Sequence, residues 1–103
     1  MAPPELSKEQ RSDALAKAAE ARRVRAELKH LLKTGSISFP ELLERADGDP
    51  IVAGMKVYAV LSSLPGTGKV KAKRMMEGYS IADSRRLRGL GQRQRAALLE
   101  EFS

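Results

Sequence analysis

Two short stretches carry the residue types and spacings that could do chemistry. The first is Leu64-Pro65-Gly66-Thr67-Gly68-Lys69-Val70-Lys71-Ala72. Glycines two positions apart let a backbone turn tightly and let a bulky ligand come close to it. A helix starting at Lys69 would point its unpaired N–H groups and positive dipole end into that turn. This is anion-holding chemistry, and Lys69 and Lys71 add charge to it, with Lys73 on the flank. The candidate binding residues here are Gly66, Gly68, Lys69, Lys71 and Lys73.

The second stretch is Arg85-Arg86-Leu87-Arg88-Gly89-Leu90-Gly91-Gln92-Arg93-Gln94-Arg95, with five arginines in eleven residues. Guanidinium forks onto phosphate oxygens and also enters minor grooves. Leu87 and Leu90 are expected to anchor the turn, leaving Arg85, Arg86 and Arg88 outward. Arg93 and Arg95 follow on the last helix. Nine Lys or Arg lie between 69 and 95, against only Glu77 and Asp83. Most of this charge is therefore expected to lack an internal partner and to be available to a polyanion; the bland alternative is a solvated arginine-rich loop. A third, weaker patch is Arg22, Arg23 and Arg25, where Glu20 and Glu27 favour a solvated helix face. With Lys56 it forms a candidate second contact surface.

Other chemistry is absent from the pattern. Gly68-Lys69 fails as a nucleotide-binding P-loop, because position 63 is Ser, position 70 is Val, and a helix is expected where that motif needs a strand. There are no cysteines, which removes disulfides and thiolate zinc sites. His30 is the single histidine, without a second ligand at metal spacing, and reads as a plain side chain. Met75 and Met76 read as core filler. The four aromatics, Phe39, Tyr58, Tyr79 and Phe102, are too few and too inward for a single-strand stacking platform. No nucleophile with its base and no paired carboxylates appear. The expectation is a non-enzyme with no cofactor and no metal.

These stretches need elements to hold them. The chain has 103 residues, enough for one modest core. Ser7 with Gln10 forms a capping box, and strong helix formers run to Lys33 ahead of Gly35. Ala14, Leu15, Ala18, Ala21, Val24, Leu28, Leu31 and Leu32 form one stripe, alanine-rich first and leucine-rich later. Burial scales with apolar area, so the first half should be weakly held and project. Ser38 with Glu41 is a second box, Pro40 standing in the first turn. Asp47-Gly48-Asp49-Pro50 is a turn and a fresh start. Residues 51–63 read as one helix, with Val57, Tyr58, Val60, Leu61 and Leu64 at the centre of the core. Helices follow from Lys69 to about Gly78, with Ala72, Met75, Met76 and Tyr79 on one face, and from Gln92 to Phe102, with Leu98, Leu99 and Phe102 inward. No strand pattern occurs. The expected fold is all-α: a flexible tail at 1–6, a long N-terminal helix at 7–34 and a compact helical domain at 35–103.

Charge sharpens the expectation. Residues 1–50 hold nine basic and nine acidic side chains, while 51–103 hold ten and four, so the whole +6 lies in the second half. Such one-sidedness suits a polyanion. No signal-peptide layout and no membrane-length apolar run is present, and a cytoplasmic protein is expected.

The Leu-Pro-Gly-x-Gly turn resembles the hairpin of helix–hairpin–helix proteins, which implies a duplex phosphate held on backbone amides without base readout. Over its full length the chain resembles the actinobacterial, or mycobacterial-type, integration host factor family. The resemblance is carried by Glu9-Gln10-Arg11, Ala18-Ala19-Glu20-Ala21-Arg22-Arg23, Met55-Lys56-Val57, the 64–72 turn and Arg85-Arg86-Leu87-Arg88-Gly89-Leu90-Gly91. The second half also resembles the helix–two-turn–helix module of a small-subunit ribosomal protein. The family resemblance implies a nucleoid-associated protein that binds duplex DNA with little sequence preference, bends or shapes it, and assists phage integration; a monomer is expected, with phage integrase as a further partner. It implies that Gly66, Gly68, Lys69, Arg85, Arg86 and Arg88 face backbone or groove. Alternatives are a structured-RNA binder of the ribosomal kind and a recombinase adaptor using the leucine half of the first helix.

Overall fold

A computed structural model describes residues 7–102. The tail assigned to 1–6 lies outside the described residues. Six helices follow in order: α1 Lys8–Lys33, α2 Phe39–Gly48, α3 Pro50–Ala53, α4 Val57–Ser63, α5 Gly68–Gly78 and α6 Gln92–Glu101, with a 3₁₀ turn at Leu87–Gly89.

Both capping boxes form. The Gln10 N–H donates to Ser7 Oγ (3.1 Å) and the Ser7 N–H to Gln10 Oε1 (2.9 Å). The Ser38–Glu41 pair repeats the arrangement at α2 (3.2 Å for each bond). Gly35, at φ +74°, closes α1 in the left-handed conformation, and the Ser36 N–H reaches back to the Leu31 carbonyl at 2.9 Å. Asp49 ends α2 and caps α3, its Oδ1 accepting from the Ile51 N–H at 2.9 Å.

The core joins all six helices. Leu28 and Leu32 of α1, Phe39, Leu42 and Leu43 of α2, Val52 of α3, Val57, Val60 and Leu61 of α4, Ala72 and Met76 of α5 and Leu98 of α6 are buried together. Residues 8–20 of α1 are exposed throughout, as the alanine-to-leucine gradient anticipates. Leu15 is 69% exposed. The radius of gyration, 16.0 Å, exceeds the ~13 Å of a compact chain this long because that half-helix projects.

One expected element is corrected. Residues 51–63 do not form one helix; the chain breaks at Gly54-Met55-Lys56. The backbone there pairs with the arginine stretch instead. The Leu87 N–H donates to the Met55 carbonyl and the Val57 N–H to the Arg85 carbonyl, both at 2.9 Å, forming an isolated antiparallel bridge between Lys56 and Arg86. Helix propensity, weak at Gly54, yields to this pairing and to the burial of Met55.

The turn between α4 and α5 uses Gly66 at φ +76° and Gly68 at φ +69°. An added Cβ at Gly66 would meet no atom within 4 Å, so the demand comes from the backbone alone. Gly66→Ala is expected to cost about 1–2 kcal/mol in thermal or denaturant unfolding, the left-handed penalty of an L-residue. Gly66→Asn should cost less.

Candidate nucleic-acid interface

The site is built where α1 crosses α4. Two adjoining clefts, of about 500 Å³ and 420 Å³, share Ala26, Lys29 and Ala59 and form one trough. Arg22, Arg25, Lys29 and Lys33 line it from α1, at spacings of three and four that place them on one helix face. Lys56, at the break before α4, and Arg86 close one end; Lys69, at the start of α5, closes the other. The trough thus runs from the arginine turn to the Pro-Gly-Thr-Gly turn. Over the eleven residue steps from Arg22 to Lys33 it is about 16 Å long, at 1.5 Å per step. No carboxylate lines it.

Its cations are free of internal ion pairs. Among the described residues the ion pairs are Arg23 with Glu20 (3.6 Å) and Glu27 (3.7 Å), and Arg95 with Asp47 (2.9 Å). The first-helix trio therefore divides. Arg23 turns to its acidic neighbours, whereas Arg22 and Arg25 face the trough. Proximity of Glu20 and Glu27 in sequence describes Arg23 well and its two neighbours badly.

The arginine turn differs from expectation in two respects. Leu87 is buried and Arg88 is exposed, but Arg85 and Arg86 are only partly outward. Arg85 Nη1 donates to the Gly89 carbonyl at 2.7 Å, and Arg86 Nη1 donates to the Gly54 carbonyl. Their partners are backbone oxygens, which a count of carboxylates does not reveal. Each guanidinium keeps donors to spare, since five are available and one is used. Among the nine cations between 69 and 95, Arg95 does have an acidic partner: it forks onto Asp47 with Nη1–Oδ1 at 3.1 Å and Nη2–Oδ2 at 2.9 Å, tying α6 to the end of α2.

The remaining candidates sit on helix surfaces. Lys71, Lys73 and Arg93 are exposed, and so are Gly66, Gly68 and Lys69 at the hairpin. No side chain caps α5, which leaves its first N–H groups open toward the glycine turn. On α5, Lys69 lines the cleft beside α1, Lys73 follows four residues on along the same helix face, and Lys71 lies on another flank. Sequence reasoning missed Lys29, Lys33 and His30, which line the same trough. A usable signal existed: Arg22, Arg25, Lys29 and Lys33 form a basic stripe at helical spacing.

Across the molecule Tyr79, Ala97, Glu100 and Glu101 line a separate concavity. The Tyr79 hydroxyl donates to Glu101 Oε2 at 3.5 Å, and local desolvation, then the Glu101 charge and hydrogen bond, with Glu100 adding a smaller push, move its titration upward. Among the described residues no cluster could hold a metal ion, and no helix is long and apolar enough to cross a membrane.

Residues 32–102 match the S13-like H2TH domain, which makes this a protein of the helix–two-turn–helix class. Proteins named integration host factor from Mycobacterium tuberculosis and Streptomyces coelicolor are 55% and 51% identical to the chain over 102 residues, covering 99% of it and 97% and 95% of themselves. The chain belongs to the integration host factor family. A solved structure of sIHF bound to an 8 bp palindromic DNA aligns with a TM-score of 0.82 and 49% identity, covering 85% of this chain and 99% of that one.

Proposed function

We propose that this protein binds duplex DNA along the trough and its two terminal turns, reading backbone and groove shape with little base preference. The observation that carries the reading is the line of seven cations, Arg22, Arg25, Lys29, Lys33, Lys56, Lys69 and Arg86, with no carboxylate among them. The DNA-bound relative supports it. The glycines Gly66 and Gly68 admit a phosphate to the α5 amides, and Lys71, Lys73, Arg88 and Arg93 extend the charged surface. Arg85 and Arg86 hold the arginine turn and present their spare donors. Arg95 ties α6 to Asp47 and keeps further donors for the same charged surface.

Duplex DNA carries one charge per ~1.7 Å of axis, so a trough of about 16 Å passes about nine phosphates, roughly four of them on the near side, and the exposed Lys71, Lys73, Arg88 and Arg93 reach about one or two more. Five to six contacts give a log–log salt slope near −5 at about 0.9 per phosphate, or about a thousandfold loss of affinity between 50 and 200 mM salt. Titration of a short duplex over that range is the test, and a slope near zero would sink the reading.

Bending or other shaping of the duplex is part of the same proposal. Nucleoid association, action as a monomer and assistance to phage integration, with integrase as a partner, belong to the same proposal. The S13-like character of residues 32–102 favours one alternative, binding of structured RNA. Competition between duplex DNA and structured RNA at matched salt separates the two, with preference for RNA favouring the alternative.

A further inference from the structure

His30 stands out among the trough residues because the duplex-binding reading does not yet use it. It is exposed near the C-terminal end of α1 and lines the cleft toward the glycine turn. The charged and titratable groups around it come from three helices. Lys29 and Lys33 flank it on α1, Lys69 faces it from α5, and Tyr58 stands on α4. Glu27, one turn back on α1, is turned to Arg23 at 3.7 Å. The imidazole therefore lacks an ion-paired carboxylate and sits where the proposed reading places a phosphate.

We infer that His30 is a further contact in the trough and that seating a duplex there takes up a proton on its imidazole. The inference rests on the proposed reading. An approaching phosphate favours the imidazolium, whose two N–H groups both donate. An imidazole ordinarily exchanges its proton between pH 5 and 8. Binding then strengthens as pH falls and weakens as pH rises. The chain has one histidine and no cysteine, so the α-amino group is the other ordinary source of titration in that window.

The test is the dissociation constant for a short duplex, measured at constant ionic strength from pH 8 to pH 5.5. For the unaltered chain the affinity should rise about fivefold at 0.15 M salt, with the salt slope steeper by about 0.9, the share of one added phosphate contact. His30→Gln should bind at the weaker level at every pH. His30→Lys should bind at the tighter level at every pH. Exposure of His30 leaves both variants folded, which their thermal midpoints check. DNA binding that does not vary with pH, or a pH dependence that survives in His30→Gln, overturns the inference and leaves the duplex reading intact. Absence of DNA binding at every pH overturns both.

Discussion

The double variant Arg22→Gln/Arg25→Gln is expected to bind duplex DNA about thirtyfold more weakly at 0.15 M salt. Each lost phosphate contact removes about 0.9 from the log–log slope, so the slope should flatten by about 1.8. Both guanidiniums face the trough and neither is held by a carboxylate. Their removal therefore takes charge from the interface without breaking an internal ion pair. Arg23→Gln is the matched comparison. It lies on the same turn and has the same formal charge, yet Glu20 and Glu27 already occupy it. Exposed pairs of this kind are worth about 0–1 kcal/mol, so its loss should leave both stability and DNA affinity nearly unchanged. A loss of about fivefold from Arg23→Gln, the share of one of the two charges that the double variant removes, would show that net charge, not the trough, governs binding. Little effect from the double variant would remove α1 from the interface.

Leu98→Ala is expected to lower the thermal midpoint by roughly 10–40 °C. Burying and then truncating a leucine costs about 2–5 kcal/mol, and 1 kcal/mol moves the midpoint of a domain this size by about 4–8 °C. Leu98 is the fully buried residue of α6. The other attachments of that helix are peripheral: Arg95 to Asp47, Gln94 Nε2 to the Ser80 carbonyl (3.0 Å), and the Phe102 ring against Phe39 (centroids 5.3 Å apart). Leu15→Ala supplies the contrast. Its side chain is exposed on the projecting half of α1, so the change should stay within about 0.5 kcal/mol. An unchanged midpoint for Leu98→Ala in a calorimetric scan would contradict the account of the core.

Local rules were legible in the sequence where local interactions decide the outcome. Ser7 with Gln10, Ser38 with Glu41, and Gly35 after α1 involve neighbours three or four residues apart, and each element starts or stops where they imply. The leucine half of α1 is buried and its alanine half is not, because apolar area differs between them. Long-range pairing was not legible. The break at Gly54–Lys56 exists because residues some thirty positions later claim its carbonyls and amides. The Asp47–Arg95 fork spans 48 positions and likewise leaves no local trace.

The candidate site shows the same division. Both glycine-containing turns were visible as motifs, and their residues lie where a ligand can reach them. The connection between them was not visible. It arises because Leu28 and Leu32 seat α1 in the core, so its 22–33 face lies beside α4. What sequence presents as two turns and a separate patch becomes one basic line in three dimensions. Arg22, Arg25 and Lys56 are part of that line, and Lys29 and Lys33 complete it.

A titration of isotopically labelled protein with a short duplex, followed residue by residue by NMR, tests the central claim most directly. The account predicts shifts concentrated along Arg22, Arg25, Lys29 and Lys33, at Lys56, Arg86 and Arg88, and through Gly66–Lys69, saturating together as one site. Shifts confined to Lys71, Lys73 and the Tyr79–Glu101 side, with the α1 face silent, would contradict it.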